Sequence, residues 1–207
     1  WHTLSLHDAL PIWYIVKTAH GEFESEITGN IRFTANSRED FPAVGDWVAV
    51  AIYDSDLAII HKILPRTSIL KRQAVEKYGE IQIIAANIDY GFIVQSVDRD
   101  FNINRIERYL TICYASKVNP ILLLTKTDLI SEQQLSEILS TIKLRIKDVP
   151  VIAISNTTQK GYEKLEKTIE KGKTYCMLGS SGVGKSSLMN NLSGYNLMKT
   201  GSISRST

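Results

Sequence analysis

The sequence predicts two domains in series, a small all-β barrel followed by an α/β domain built on a parallel sheet. Three observations predict them. Residues 13–65 read as short alternating strands separated by close-set turns. From Ile81 onward, near-continuous apolar strands alternate with amphipathic helices, the pattern of a sheet covered on both faces. Finally, Gly179-Ser180-Ser181-Gly182-Val183-Gly184-Lys185-Ser186 fits G-x-x-x-x-G-K-[ST] between a strand and an amphipathic segment, the setting that a phosphate-binding loop requires.

Composition bounds this reading. With 207 residues and 43% hydrophobic content, the chain can hold one large core or two modest ones. No apolar run approaches the roughly 20 residues of a membrane-spanning helix, so a membrane role is not expected. Residues 13–65 carry four basic and eight acidic side chains, whereas residues 66–207 carry twenty basic and thirteen acidic. Attraction to polyanions therefore belongs to the second part, although so small an excess also fits an ordinary solvated surface. Cys113 and Cys176 both lie in apolar segments without metal-type spacing, which points to buried free thiols in a reducing cytoplasm and against a zinc site within this chain.

In chain order, residues 1–12 have no basic n-region and no cleavage signal, and read as a disordered or foreign leader rather than a signal peptide. Strands are expected at Trp13 to Thr18, Phe23 to Thr28, Asn30 to Thr34, Trp47 to Tyr53 and Leu57 to Leu64, with turns at His20-Gly21, Gly29, Gly45-Asp46 and Asp54-Ser55-Asp56. An oligonucleotide-binding (OB-like) barrel and a structural or protein-binding barrel both fit, and the acidic balance does not favour nucleic acid. Residues 66–80 read as a linker. Beyond it, strands are expected at Ile81 to Ala86, Tyr90 to Val97, Ile121 to Leu124, Val149 to Ile154 and Thr174 to Leu178. Helices are expected at Ile103 to Ala115, with Ile103, Ile106, Leu110 and Cys113 on one face, at Ser131 to Ile146, opened by Ser131 ahead of Gln134, and at Tyr162 to Ile169.

Two sites follow from these placements. In the glycine-rich loop, Gly179, Gly182 and Gly184 let the backbone turn its N–H groups of residues 179–187, including those of Ser180, Ser181, Val183 and Ser187, toward phosphate oxygens. The positive end of the following helix adds to the attraction. Lys185 is placed to reach the β- and γ-phosphates and to stabilise transferring charge, and Ser186 to complete the shell of a Mg²⁺. The second site follows strand Ile121 to Leu124, where Thr125-Lys126-Thr127-Asp128 stands. Asp128 could accept the N1–H and N2–H₂ of guanine with the Lys126 stem along the base face, or could simply cap the turn leading to Ser131; spacing alone leaves both open. Ser155 and Asn156 follow another strand end, where a backbone N–H could meet guanine O6. No catalytic base is assigned.

The tetrapeptide precedes the phosphate loop by about fifty residues, the reverse of the order in most GTP-binding switch proteins. With a barrel ahead of it, the chain resembles the small-ribosomal-subunit-dependent GTPase family (RsgA, also called YjeQ), whose GTPase domain is circularly permuted. The resemblance covers about residues 13–207. It rests on Val44-Gly45-Asp46-Trp47-Val48, Ile63-Leu64-Pro65-Arg66, Ala85-Ala86-Asn87-Ile88-Asp89, Arg108-Tyr109-Leu110, Lys126-Thr127-Asp128-Leu129, Gly182-Val183-Gly184-Lys185-Ser186-Ser187-Leu188 and Lys199-Thr200-Gly201.

The resemblance implies a monomeric cytoplasmic GTPase that uses GTP/GDP and Mg²⁺ and binds the 30S subunit and its 16S rRNA late in maturation, through its barrel and a zinc-binding C-terminal region. Lys126 and Asp128 carry over as guanine readers and residues 179–187 as the phosphate and Mg²⁺ site. Thr125 departs from the family's usual asparagine, a loss of one hydrogen bond worth about 1 kcal/mol. The resemblance also implies that the remaining switch segments and the zinc-binding region lie beyond Thr207, so that residues 81–207 form a truncated G domain. On that reading the strand Thr174 to Leu178 is an uncovered edge, and the chain alone is expected to bind guanine nucleotide weakly, hydrolyse GTP negligibly and aggregate. Competing readings are an ATP-using P-loop kinase or ATPase without guanine preference, and a non-enzymatic RNA- or protein-binding adaptor with an inert phosphate loop.

Overall fold

A computed structural model describes residues 13–73, 81–98, 100–195 and 198. The expected leader, the second half of the expected linker and Lys199-Thr200-Gly201 lie outside the described residues. The chain divides into two compact units, residues 1–87 and 88–207.

The first unit holds β1 (Tyr14–Thr18), β2 (Gly21–Ile27), α1 (Gly29–Thr34), β3 (Val48–Ile52), β4 (Leu57–Ile63), β5 (Ile69–Gln73) and β6 (Ile81–Ala86). Strands β1 to β4 form one sheet in the order β1-β2-β4-β3, in which β2 and β4 run parallel and the outer pairs antiparallel. Along β2 the pleat turns Phe23, Ser25 and Ile27 inward and Glu22, Glu24 and Glu26 outward. Ile27, Phe41 and Ile60 form the core, with Tyr14, Val16, Ile31, Val48 and Val50 packed against it.

Two expectations fail here. Asn30 to Thr34 was expected as a strand and is part of helix α1: the Thr28 hydroxyl accepts the Ile31 N–H, so a capped turn replaces an extended segment and delivers Ile31 to the core. Residues 66–80 were expected as a linker and Ile81 to Ala86 as the first strand of the α/β domain. Instead β5 lies within the former and pairs antiparallel with β6, and the second unit begins at Ile88. An apolar run signals a strand without naming its partner.

What fixes the β5–β6 hairpin is a buried polar cluster built from motifs distant in sequence. Arg66 donates to both Asp46 carboxylate oxygens at 2.7 Å and to the carbonyls of Glu39 and Phe41 at 2.6 and 2.8 Å. The Asp46 side chain is 1% exposed, so this bidentate pair satisfies a carboxylate that burial would otherwise strand. Beside it, Gly45 takes φ +88°, and a Cβ there would stand 2.3 Å from the Ala86 carbonyl oxygen. The motifs around Gly45, Arg66 and Asn87 therefore meet at one point, where the Asn87 amide also donates to the Gly45 carbonyl and accepts the Thr67 N–H.

The second unit holds β7 (Tyr90–Ser96), α2 (Ile103–Ala115), β8 (Asn119–Thr125), α3 (Glu132–Arg145), β9 (Val151–Ala153), α4 (Tyr162–Thr168), β10 (Tyr175–Leu178) and α5 (Lys185–Ser193). Its sheet is parallel throughout, in the order β10-β7-β8-β9. The helices begin at polar caps: Asn102 for α2, and Ser131 with Gln134 as a reciprocal capping box for α3. One sheet face buries Phe92, Val94, Ile121, Leu123 and Ile152 with Leu165 of α4 and Leu188 of α5. By strand alternation the other face carries Ile93, Leu122 and Leu124, all fully buried, and it is α2 that contacts β7 and β8. β10 pairs parallel with β7. Its start is held by Asp89, which accepts the Thr174 N–H at 2.9 Å and the Lys173 ammonium at 3.1 Å. Cys113 is buried and Cys176 half-buried, both free thiols whose pKa burial raises, to about 12 and about 11.

Candidate functional site

Because all four strands run parallel, every loop at a strand's carboxyl end opens on the same side of the sheet. The phosphate loop follows β10, the Thr125–Asp128 tetrapeptide follows β8, and Ser155-Asn156 follows β9. β7 stands between β10 and β8, so the first two sites are two strand spacings apart, about 10 Å. A nucleoside triphosphate is long enough to span that gap, and open α/β sheets generally take ligands at this end.

The phosphate loop has the backbone that its glycines were expected to supply. Gly179, Gly182 and Gly184 take φ +155°, +77° and +97°. A Cβ on Gly179 would lie 2.4 Å from the Val94 carbonyl oxygen, so the loop leaves the sheet where only glycine fits. Val183 turns the other way and buries its side chain in the core, anchoring the loop. α5 then begins at Gly184, which has no side chain to cap it, so the N–H groups of its first turn meet no capping oxygen. That is the geometry of an anion site at a helix start. Lys185 donates to the carbonyls of Gly179 and Ser180 at 2.8 and 2.6 Å, folded back over its own loop. Burial lowers its pKa, and no carboxylate among the described residues offsets that cost. Ser180, Ser186 and Ser187 are half-buried within the loop and first turn, and Ser181 is exposed. Ser186 is the hydroxyl-bearing residue that closes the G-x-x-x-x-G-K-[ST] motif.

The base-side residues sort differently from expectation. Asp128 is exposed, and its Oδ1 accepts the Ser155 hydroxyl at 2.6 Å. Ser155 itself is buried and its oxygen also accepts the N–H groups of Thr157 and Thr158, so its side chain orients Asp128. The Asn156 amide is directed toward the phosphate loop, donating to the Gly184 carbonyl at 3.0 Å and accepting the Tyr162 hydroxyl at 2.8 Å. Asn191 of α5 closes that group by donating to Tyr162 and to the Asn156 carbonyl. Thr127 sits in a short 3-10 turn, Thr127–Leu129, with its N–H on the Ile154 carbonyl. The alternative role of Asp128 as the cap of the turn leading to Ser131 fails, because Asp128 lies inside that turn, whose cap position is Lys126 and which has no side-chain cap bond.

Thr125 is the residue that joins the two sites. Its side chain is fully buried and its hydroxyl donates to the Val183 carbonyl at 2.6 Å, from the end of β8 into the phosphate loop. The hydroxyl thus bridges loops, the part of an asparagine's work that does not touch a base. We expect Thr125→Val, which keeps the shape and removes the donor, to destabilise this unit by about 1–3 kcal/mol by leaving that carbonyl unsatisfied. Urea unfolding followed by circular dichroism measures it, and an unchanged midpoint would show the bond to be inconsequential.

Sequence reasoning missed Tyr162, Asn191 and Asp98. The last accepts the Lys126 ammonium at 2.7 Å. Its position two residues past β7, at the carboxyl end of the strand between the two sites, was the available signal.

Known proteins are similar to this chain in sequence and fold. A family model described as RsgA GTPase matches residues 63–207. The small ribosomal subunit biogenesis GTPase RsgA 2 of Lactiplantibacillus plantarum is 42% identical over 191 residues, covering 92% of this chain and 53% of that protein. The RsgA of Opitutus terrae is 36% identical over 199 residues, covering 92% and 54%. The chain thus spans about half the length of the curated relatives it matches. The crystal structure of YjeQ from Thermotoga maritima superposes with a TM-score of 0.70 at 24% identity, over 86% of this chain and 60% of that one. That of YloQ, described as a circularly permuted GTPase, superposes at 0.67 and 26%, over 90% and 62%.

Proposed function

The chain belongs to the RsgA GTPase family, and from that premise we propose that it binds GTP and GDP with Mg²⁺ and hydrolyses GTP as the nucleotide-handling part of a factor in late maturation of the small ribosomal subunit. The observation that carries the proposal is the hydrogen bond from Thr125 to the Val183 carbonyl. It ties the tetrapeptide to the phosphate loop although their order along the chain is permuted.

In this reading the N–H groups of residues 179–187 and the first turn of α5 take the phosphate oxygens. Lys185 leaves the Gly179 and Ser180 carbonyls for the β- and γ-phosphates. Asp128, oriented by Ser155, accepts the guanine N1–H and N2–H₂, and the Lys126 stem lies along the ring. A Mg²⁺ coordinated by the Ser186 hydroxyl would neutralise charge on the phosphates. Positioning and charge neutralisation supply most of phosphoryl-transfer catalysis, so no base within these residues is required.

The first unit fits a partly open OB-type barrel. Its parallel β2–β4 pair, with α1 in the connection, leaves β1 and β3 as the two sheet edges that one further strand would join. The 30S subunit and its 16S rRNA are the proposed partners of a cytoplasmic monomer, and the outward Glu22, Glu24 and Glu26 direct any rRNA contact away from that face of β2. No helix of the described residues is long and apolar enough to cross a membrane.

Competition against a fluorescent GDP analogue tests the nucleotide reading. GTP should displace it at least a hundredfold better than ATP, and equal displacement would return the chain to the ATP-using class of P-loop proteins.

A further inference from the structure

We infer that Asp98 is a positioning residue for the purine site, holding the Lys126 side chain stretched across the ends of β7 and β8 as a preformed wall for the base. This rests on the guanine-site reading above.

The inference starts from an oddity of backbone. Lys126 takes φ +61°, a left-handed conformation that costs a non-glycine residue energy and persists only where its surroundings over-determine it. Two contacts do so. Its neighbour Thr125 is locked to the Val183 carbonyl, and its ammonium sits 2.7 Å from Asp98 Oδ2. Asp98 is itself fixed: its Oδ1 accepts the Ser96 hydroxyl at 2.9 Å and the Asp100 N–H at 3.1 Å. The lysine and aspartate side chains are 22% and 25% exposed, well short of a surface ion pair. Burial raises the Asp98 pKa, but the hydrogen bonds from Lys126, Asp100 and Ser96 outweigh it and the net shift is downward, so the carboxylate stays charged.

Placement makes the pair more than local structure. Asp98 follows β7, the strand between β10 with the phosphate loop and β8 with the tetrapeptide. A ligand reaching from one site to the other must pass the end of β7. With its head held there, the four-carbon stem of Lys126 is ordered before any nucleotide arrives, and a stem ordered in advance loses no rotamer freedom on binding. Lysine without this partner would be a mobile chain in solvent, a poor surface for a ring.

Asp98→Asn keeps the size and the acceptor for Ser96 while removing the charge that holds Lys126. It should weaken GDP binding about tenfold and inosine diphosphate binding by the same factor, since the wall touches the ring and not the amino group that Asp128 reads. Tripolyphosphate, which meets only the phosphate loop, should bind the variant as it binds the unsubstituted chain. Isothermal titration with the three ligands gives these numbers. In a Lys126→Met background the Asp98→Asn change should have no further effect on GDP. Equal GDP affinity in Asp98→Asn, a parallel loss of tripolyphosphate, or full additivity with Lys126→Met would each overturn the inference. Failure of the underlying reading is a separate outcome, seen in the unsubstituted chain as no preference for GDP over ADP. Should Asp98→Asn fold poorly, Asp98→Glu, which restores the charge one methylene further out, should recover more GDP affinity than Asp98→Ala; equal affinities would sink the proposal.

Discussion

Lys185→Ala should lower the affinity for GDP and GTP about a thousandfold, equivalent to about 4 kcal/mol. The ammonium is partly desolvated and rests on two neutral carbonyls, Gly179 and Ser180. A phosphate therefore replaces weak partners with a full countercharge in a place where charge is poorly screened. The cost to the empty fold runs the other way. Burial lowers the Lys185 pKa from 10.5, so the folded chain holds that proton less tightly than the unfolded chain does. The resulting penalty on the folded state is fully present below the lowered pKa, fades as pH rises from there toward 10.5, and is gone above 10.5. At neutral pH the alanine variant sheds that penalty along with two hydrogen bonds, and its unliganded melting temperature should stay within a few degrees of the parent's. GDP should raise the melting temperature of the parent only. A variant that melts like the parent yet binds GDP within tenfold of it would show that Lys185 does not face the phosphates.

How much of this was legible in the sequence depends on how local each feature is. The phosphate loop was readable because its conformation is set by its own glycines, and Gly179, Gly182 and Gly184 do take positive φ. Ser131 could be read as a helix start for the same reason. The α1 segment was misread because Asn30 to Thr34 alternates like a strand, while the deciding interaction is the Thr28 cap one turn earlier. Strand β6 was seen but put in the wrong sheet, since only the distant Gly45 and Arg66 cluster decides what it pairs with. Within the site, the bond from Thr125 to Val183 spans 58 positions and that from Lys126 to Asp98 spans 28. The resemblance marked Thr125 only as a replacement for asparagine that lacks one hydrogen bond, and the folded sheet shows which bond its hydroxyl keeps, the one to the Val183 carbonyl of the loop.

Asp128→Asn should exchange the preferred base from guanine to xanthine. The carboxylate has one oxygen engaged by the Ser155 hydroxyl at 2.6 Å, which sets the plane of the group at the exposed end of β8. Guanine presents two adjacent donors, N1–H and the exocyclic N2–H₂, and a carboxylate offers acceptors for both. An asparagine in the same plane keeps one acceptor, Oδ1, and turns an N–H₂ toward a second donor, so one of guanine's donors is left facing another donor. Xanthine carries a carbonyl at that ring position, which accepts from the asparagine while N1–H still reaches Oδ1. Sites built to pair a polar group reject a mismatched analogue by several powers of ten, because the groups on both sides are left unsatisfied. We expect GDP affinity to fall about a thousandfold in Asp128→Asn and xanthosine diphosphate to bind the variant at least a hundredfold better than the parent. Tripolyphosphate binding should be unchanged, because Lys185 and residues 179–187 are untouched. Competition titrations with the two diphosphates measure the exchange. If the variant loses GDP without gaining xanthosine diphosphate, Asp128 supports the loop that Ser155 also holds and does not read the base edge.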